Sequence, residues 1–186
     1  MSIKLILLDR DGVINHDSDD YIKSEDEWIP IQGSIEAITL LSQAGFIVCV
    51  VTNQSGLGRG LFNEFALARM HELLCTLVEE EGGKVDAIFY CPHKPDDNCD
   101  CRKPKPGLLN QIEAQFSQSV EGSWFIGDTE KDIDAALTKN CKPILVLTGK
   151  GKQASESMDA QKLSGISVFD DLLSAAHFIS SEHNTD

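Results

Sequence analysis

The stretch LLDRDGVIN, residues 7 to 15, places Asp9 and Asp11 one residue apart, directly after a short apolar run. Gly12 follows them and indicates a turn. An apolar run that ends in acidic residues at a turn is typical of a buried strand whose carboxyl end faces a ligand. Two enclosed carboxylates repel each other unless a cation lies between them, and Mg²⁺ prefers oxygen ligands. An isolated pair of this kind is also common in a solvated turn or a helix cap. The motifs in the rest of the chain are needed to distinguish a metal site from these alternatives.

Apolar runs like the first recur along the chain, and several lack the alternation of half-exposed strands. The predicted strands are 3–8, 46–51, 87–90, 124–126, 144–147 and 166–169, and the predicted helices between them are 34–44, 65–81, 108–116, 131–138 and 170–179. Asn63 is a predicted N-cap, and Gly45 a predicted helix stop. Alternating strands and helices predict an α/β fold, a three-layer Rossmann-like sandwich around a central parallel sheet. The alternative is an α+β arrangement.

The length of 186 residues predicts one domain, which we place at residues 1–180, followed by a polar tail at 181–186. The longest irregular stretch is 91–107, and a loop of that length inside a compact domain usually has a function. No low-complexity linker divides the chain.

The net charge of −14 argues against nucleic-acid and membrane-surface partners, because both are anionic. The first apolar run is too short for a signal peptide, and no run approaches the roughly 20 residues of a membrane span. We therefore expect a cytoplasmic protein. An anionic substrate would need local positive charge.

In a parallel sheet, ligands bind at the carboxyl ends of the strands. Asp9 and Asp11 follow the first predicted strand, Thr52 and Asn53 the second, and Asp128 the fourth. We therefore expect these side chains to meet at one edge.

Three further stretches complete a pattern: VVTNQSG (50–56), CRKPKPG (101–107) and FIGDTEKDID (125–134). Together with D-R-D-G they resemble the haloacid dehalogenase-like phosphohydrolases. The signature motifs of that family are D-x-D-G, a Ser or Thr after the second strand, a Lys before a proline, and G-D-x-x-x-D. All four are present in this order. The resemblance implies a phosphatase with short loops in place of a large cap domain.

The resemblance also implies a role for each acidic residue. Asp9 is the expected nucleophile that forms an aspartyl-phosphate, since a carboxylate needs no base to attack at neutral pH. Asp11 is expected to protonate the leaving alcohol and then to deprotonate the attacking water. Mg²⁺ is expected to bind the Asp9 carboxylate, the Asp11 carbonyl and Asp128.

Thr52, Asn53 and Lys103 are expected to bind the oxygens of the phosphoryl group, where charge develops during transfer. Asp132 is expected to orient Lys103 or a metal-bound water. Thr129 is a departure, because some members of the family place a lysine there.

The segment CPHKPDDNCDC (91–101) carries Cys91, His93, Cys99 and Cys101. Three thiols and one imidazole suit a closed tetrahedral Zn²⁺ site, which would fix a loop that lacks regular structure. Zinc would then be structural. The alternative is a set of free thiols. Cys49, Cys75 and Cys141 are expected to be packing residues.

This zinc loop narrows the resemblance to a branch that contains heptose 1,7-bisphosphate 7-phosphatases and histidinol-phosphate phosphatases. The stretch TNQSGLGRGLF (52–62) is similar to the heptose members, which implies a phosphorylated sugar of lipopolysaccharide-core biosynthesis as substrate. Arg102 would bind the phosphate that is not transferred. Further substrate contacts are expected from Asp17, Tyr21, Gln54 and Ser55. We expect a monomer. The alternatives are a histidinol-phosphate phosphatase and, more remotely, a non-catalytic zinc-stabilised binding module.

Overall fold

The computed structural model describes residues 4–183 and contains one six-stranded sheet. All strands are parallel, in the order β3-β2-β1-β4-β5-β6. The strands are β1 (Leu5–Leu8), β2 (Ile47–Asn53), β3 (Ala87–Cys91), β4 (Trp124–Gly127), β5 (Lys142–Val146) and β6 (Ser167–Phe169). The predicted α/β sandwich is confirmed. Ile3, which the prediction placed in the first strand, lies outside the described residues.

Helices cover both faces of this sheet. They are α1 (Ser34–Gln43), α2 (Ser55–Gly58), α3 (Glu64–Glu80), α4 (Gly107–Phe116), α5 (Glu130–Thr138), α6 (Gly151–Ser157), α7 (Ala160–Ser164) and α8 (Leu172–His183). Asn63 caps α3 by accepting a hydrogen bond from the Ala66 N–H at 2.9 Å. Gly45 follows α1 with a φ of 87°, the left-handed conformation that favours glycine after a helix.

The strands lack alternation because each face of the sheet is buried. On β1, Ile6 and Leu8 belong to the core beneath α1, α3 and α8, whereas Leu5 and Leu7 belong to the core beneath α4 and α5. Successive side chains of a strand point to opposite faces, so a strand between two helix layers must be apolar on both. Burial of each such side chain contributes about 1.5–3 kcal/mol to folding.

The chain reverses its direction of winding at β1. The chain first adds β2 and β3 on one side and then crosses to add β4, β5 and β6 on the other. At such a point the loops after β1 and β4 diverge and leave a crevice outside the carboxyl ends of the strands. The Asp9 N–H donates to the Ile126 carbonyl at 2.9 Å, so the end of β1 is held against β4 at this crevice.

The structure differs from the prediction mainly in short elements. The sequence gives no signal for α2, α6, α7 or the 3₁₀ turn Pro95–Asp97, because helices of one or two turns show little periodicity. Helix α8 continues to His183, whereas the prediction assigned residues 181–183 to the tail; residues 184–186 lie outside the described range. Within residues 4–183, every helix is too short or too polar to cross a lipid bilayer.

Candidate active site

A cleft of about 280 Å³ opens at the carboxyl edge of the sheet. Every predicted catalytic or substrate-binding residue except Thr52 lines this cleft, and so do Asp128 and Asp132. Thr52 is 1% exposed and is not among the lining residues, and its hydroxyl accepts a hydrogen bond from Gln54 at 2.9 Å. The strand ends therefore bring together residues that are far apart in the sequence.

Asp9 lies directly after β1 at the floor of the cleft. Its Oδ1 accepts the Arg10 N–H at 2.7 Å and lies 2.9 Å from the Lys103 ammonium. Burial raises the pKa of Asp9 well above its ordinary value, and repulsion from Asp132 adds to this, while Lys103 opposes it. The Lys103 ammonium therefore favours the ionised form of Asp9, against the effect of burial.

Lys103 enters the site from the loop between β3 and α4. Its ammonium contacts Asp132 at 2.7 Å and the Val51 carbonyl at 2.7 Å, in addition to Asp9. Burial would lower the pKa of Lys103, but the carboxylates of Asp132 and Asp9 outweigh it and raise that pKa. The Asn53 side chain binds both the N–H and the carbonyl of Lys103, at 3.0 and 3.2 Å, and so fixes this part of the loop.

Asp132 connects this site to the start of α5. Its Oδ2 accepts hydrogen bonds from the Thr129 N–H at 3.1 Å and the Thr129 hydroxyl at 2.7 Å. Thr129 is the N-cap of α5, so the residue that departs from the family pattern has a structural role here. Because the cap fixes Asp132, it also fixes the carboxylate that faces Lys103.

Asp128 supports a metal site. Carboxylate oxygens of Asp9, Asp128 and Asp132 lie within 4.8 Å of one another. Asp128 Oδ2 accepts the Lys150 N–H at 2.8 Å, whereas its buried Oδ1 has no hydrogen-bond partner. Burial and repulsion from Asp132 raise the pKa of Asp128 to about 7. An unpartnered buried carboxylate oxygen beside other acids suits a divalent cation such as Mg²⁺, which would supply the missing ligand.

Gly12 makes room for this group of acids. It has a φ of 85°, and a Cβ at this position would lie 2.0 Å from Asp128 Oδ2. Both the backbone conformation and the close approach therefore require glycine in the turn after β1.

The Asp11 carboxylate accepts hydrogen bonds from three side chains. The Arg10 guanidinium donates to Oδ1 at 2.9 Å and to Oδ2 at 3.1 Å, Asn15 donates to Oδ1 at 2.9 Å, and Gln54 donates to Oδ2 at 2.7 Å. Burial alone would raise the pKa of Asp11, but the Arg10 charge and these hydrogen bonds lower it below its ordinary value. Asp11 is therefore ionised before substrate binds, the form that can accept a proton from water.

Cys91, His93, Cys99 and Cys101 form a second cluster beside the cleft. The Cys91 sulfur lies 3.6 Å from Cys99 and 3.2 Å from Cys101, and His93 Nδ1 lies 3.2 Å from Cys101. All four side chains point to one centre, and the cysteines are not paired as disulfides. The donor set fits a tetrahedral metal ion such as Zn²⁺.

Two contacts link this cluster to the segment that follows it, and one of them reaches the cleft. Arg102 lines the cleft and donates to the His93 carbonyl at 3.3 Å. The Lys105 ammonium donates to the Cys99 carbonyl at 2.9 Å. The four-residue cluster and the segment that carries Lys103 are therefore one connected unit.

The sequence reasoning missed several residues of the site, among them Arg10, Asn15 and Lys150. Arg10 is 1% exposed although arginine is rarely buried unless it is paired, and its position between the two aspartates was the available signal. Asn15 is fully buried. The Lys150 ammonium lies 3.2 Å from Asp17 and 3.3 Å from Asp19 at the mouth of the cleft. Neither Asn15 nor Lys150 has a sequence signal, since its partners depend on the tertiary fold.

Comparisons with known proteins agree with this geometry. Residues 100–175 match a family model described as HAD-hydrolase-like. The chain is 54% identical over 176 residues to the D-glycero-β-D-manno-heptose-1,7-bisphosphate 7-phosphatase of Pseudomonas aeruginosa, with 95% of this chain and 97% of the relative covered. It is 46% identical over 181 residues to the enzyme of the same name from Neisseria meningitidis, with 97% of each chain covered.

A solved structure shows the same fold. The D,D-heptose 1,7-bisphosphate phosphatase from B. bronchiseptica, complexed with magnesium and phosphate, superposes with a TM-score of 0.91 at 43% identity. The match covers 97% of this chain and 99% of that chain.

Proposed function

Because the chain belongs to the HAD-like hydrolases and, within them, to the D-glycero-β-D-manno-heptose-1,7-bisphosphate 7-phosphatases, we propose that it removes the C7 phosphate of the heptose 1,7-bisphosphate. The observation that carries this proposal is the match over nearly the whole chain to enzymes of that name. The product would serve the synthesis of lipopolysaccharide-core heptose. We propose the β-anomer at C1 as the substrate, because the names of the relatives specify that anomer.

The first step forms a bond between an Asp9 oxygen and phosphorus and breaks the bond between phosphorus and the C7 oxygen. Asp9 is the nucleophile because it lies at the floor of the cleft beside a fixed cation, Lys103, at 2.9 Å. The leaving alkoxide takes a proton from Asp11, which lines the same cleft. A bound phosphate dianion raises the pKa of a nearby carboxyl, so the substrate itself favours the protonated form of Asp11.

The second step frees Asp9 and restores the protonated Asp11 of the substrate complex, which loses its proton again once phosphate has left. A water molecule attacks phosphorus, its proton goes to Asp11, and the bond to Asp9 breaks to release inorganic phosphate. The low pKa of Asp11 in the free protein favours the ionised form that accepts this proton. Lys103, held by Asp132 and Asn53, faces the charge that develops on the phosphoryl oxygens.

We propose that Mg²⁺ binds the carboxylates of Asp9 and Asp128 and the carbonyl of Asp11. When bound, it neutralises charge between an anionic nucleophile and an anionic substrate. The unpartnered Oδ1 of Asp128 supports this assignment.

We propose that Zn²⁺ binds Cys91, His93, Cys99 and Cys101 and is structural. The four ligands leave no open position for a substrate. The loop then places Arg102 at the cleft, where its guanidinium can bind the phosphate at C1. Asp17, Tyr21 and Ser55 line the same cleft and are the proposed contacts to the sugar.

We further propose a cytoplasmic monomer. Six unpaired cysteines, three of them in one metal-binding cluster, suit a reducing compartment. One chain supplies every residue of the proposed site.

Phosphate release with Mg²⁺ tests the proposed substrate. The panel comprises the α- and β-anomers of heptose 1,7-bisphosphate, fructose 1,6-bisphosphate and histidinol phosphate. We expect the highest kcat/KM on the β-heptose bisphosphate and no release above background with Asp9→Asn, which should remain folded by circular dichroism. A higher kcat/KM on histidinol phosphate would overturn the substrate assignment. Activity that survives in Asp9→Asn would overturn the mechanism.

A further inference from the structure

Arg10 is a buried cation that the proposed chemistry does not use. Its side chain is 1% exposed and lies between the two catalytic aspartates in the sequence. A guanidinium removed from water needs close partners to offset its lost hydration. The partners of the Arg10 guanidinium therefore indicate its role in the site.

The main partner of Arg10 is the Asp11 carboxylate. Arg10 Nε donates to Oδ1 at 3.2 Å, and Arg10 Nη2 donates to Oδ1 at 2.9 Å and to Oδ2 at 3.1 Å. A planar guanidinium that contacts both oxygens fixes the plane of the carboxylate as well as its distance. About 21% of the Asp11 side chain stays exposed, and Asp11 lines the cleft.

Gln54 and Asn15 are the other two side chains that donate to Asp11, Gln54 to Oδ2 and Asn15 to Oδ1. Gln54 Nε2 donates to Asp11 Oδ2 at 2.7 Å and to the Thr52 hydroxyl at 2.9 Å, and its Oε1 accepts from Arg10 at 3.2 Å. Both amide protons are thus used inside the protein, and the side chain is 4% exposed. Gln54 was expected to bind substrate, but this amide has no N–H left to donate to a sugar.

We propose that Arg10 and Gln54 are positioning residues that hold the Asp11 carboxylate in the orientation from which it protonates the leaving alcohol. The inference rests on the proposed role of Asp11 as the acid and base. General acid catalysis contributes about 10²–10⁴-fold, and only when the acid is within hydrogen-bonding reach of the leaving oxygen. Gln54 also donates to both Asp11 and Thr52, so it fixes the distance between the Asp11 carboxylate and the Thr52 hydroxyl.

The test compares two substrates of nearly equal shape, p-nitrophenyl phosphate and phenyl phosphate. The first has a good leaving group that needs little protonation, and the second has a poor one that needs much. The value of kcat/KM depends on the steps from substrate binding up to the first phosphoryl transfer. It does not depend on the later attack of water on the aspartyl-phosphate. The ratio of the two kcat/KM values does not depend on how much of a variant is folded, so a partly unfolded preparation still gives a result.

The variants are Gln54→Ala and Arg10→Lys, with Asp11→Ala as the reference for complete loss of the acid. Arg10→Lys keeps the charge and removes the planar fork. Arg69→Lys is the matched control, because Arg69 binds both oxygens of Glu25, at 2.8 and 3.2 Å, in an exposed pair away from the cleft.

We expect the ratio of p-nitrophenyl to phenyl phosphate efficiency to rise at least tenfold in Gln54→Ala and Arg10→Lys, in the direction of Asp11→Ala, and to stay unchanged in Arg69→Lys. An unchanged ratio in the two variants, whatever their absolute rates, would overturn the inference. If Asp11→Ala itself left the ratio unchanged, the proposed role of Asp11 would fail instead.

Discussion

Lys103 balances two buried carboxylates with a single ammonium. It contacts Asp9 at 2.9 Å and Asp132 at 2.7 Å, and its side chain is 3% exposed. Removal of one partner from a buried ion pair leaves an unpaired charge, which typically costs about 3–5 kcal/mol. An exposed pair contributes about 0–1 kcal/mol.

We therefore expect Lys103→Met to lower the free energy of unfolding by about 3–5 kcal/mol and to lower kcat by at least about 100-fold. Urea unfolding and phosphate release measure the two effects. Lys139→Met is the control, since Lys139 pairs with Glu113 at 2.7 Å near the surface, and should cost at most about 1 kcal/mol. Equal losses in the two variants would contradict the role given to Lys103.

His71 gives a prediction on pH at the residue scale. It lies on α3 with its ring 6.0 Å from Tyr90 and its Nε2 3.4 Å from Arg10. Burial and the Arg10 charge lower the pKa of His71 from 6.5 to about 3. The unfolded chain therefore binds the proton more readily than the folded one, so stability falls as the pH drops below 6.5.

We expect the wild-type protein to lose about 1 kcal/mol through His71 between pH 7 and pH 5.5, and His71→Gln to abolish that component. Urea unfolding at the two pH values measures it. His177→Gln, at an exposed histidine on α8, is the control and should keep the wild-type pH dependence. The same dependence in His71→Gln as in the wild type would exclude a neutral His71.

At the scale of elements, the loop that carries the cluster of Cys91, His93, Cys99 and Cys101 should position the residues that follow it. Arg102 and Lys103 come directly after Cys101, the last residue of the cluster, and Arg102 also binds the His93 carbonyl at 3.3 Å. Between β3 and α4, a stretch that the structure describes throughout, the only regular structure is the 3₁₀ turn Pro95–Asp97, so a bound metal ion would help to hold these two cations in place.

We expect Cys99→Ser to lose zinc, to lower the midpoint of thermal unfolding and to lower kcat/KM for the heptose bisphosphate at least tenfold. Zinc analysis, a melting curve and kinetics check these three outcomes. Cys75→Ser, on α3 outside the cluster, should keep the metal and the activity. A wild-type protein that is fully active and equally stable after zinc removal would rule out the structural role.

The loop between β5 and α6 contributes Lys150 to the lining of the cleft. The Lys150 ammonium pairs with Asp17 at 3.2 Å and Asp19 at 3.3 Å, while its N–H binds Asp128. Without that side chain, two carboxylates would face an anionic substrate unopposed. The main-chain bond to Asp128 would remain, because alanine keeps the N–H.

Lys150→Ala should accordingly raise KM for the heptose bisphosphate about tenfold and change kcat less than threefold. Steady-state kinetics measure the split, with Lys152→Ala at an exposed neighbouring position as the control. A fall in kcat with no change in KM would contradict this role and show that Lys150 contributes to the chemical step.

The elements predicted from the sequence are those with a strong local signal. Buried strands, and helices of nine or more residues such as α3, show their periodicity directly, and Asn63 and Gly45 mark boundaries by side-chain and backbone chemistry. Helix α6 is only seven residues long and has no comparable signal. The loop that carries Lys150 was missed for this reason.

For the whole molecule, strand order explains why the acids meet. Asp9 follows β1 and Asp128 follows β4, and these strands are neighbours in the sheet although more than one hundred residues separate them in the chain. The sequence predicts both acids, because each follows an apolar run at a turn. The hydrogen bonds from Asn15 and Gln54 depend on the assembled fold, so Asn15 was not predicted, whereas Arg10 was missed although it stands between the two aspartates in the sequence.

The central claim is that Asp9 becomes covalently phosphorylated, and direct capture of that intermediate tests it. In Asp11→Asn the base for the second step is lost, whereas p-nitrophenyl phosphate can still react because its leaving group needs little protonation. Rapid acid quench followed by peptide mass spectrometry should find one phosphoryl group per enzyme, on the peptide that contains Asp9, formed in step with a burst of nitrophenolate. A burst without that modification, or with the phosphoryl group on another residue, would contradict the account.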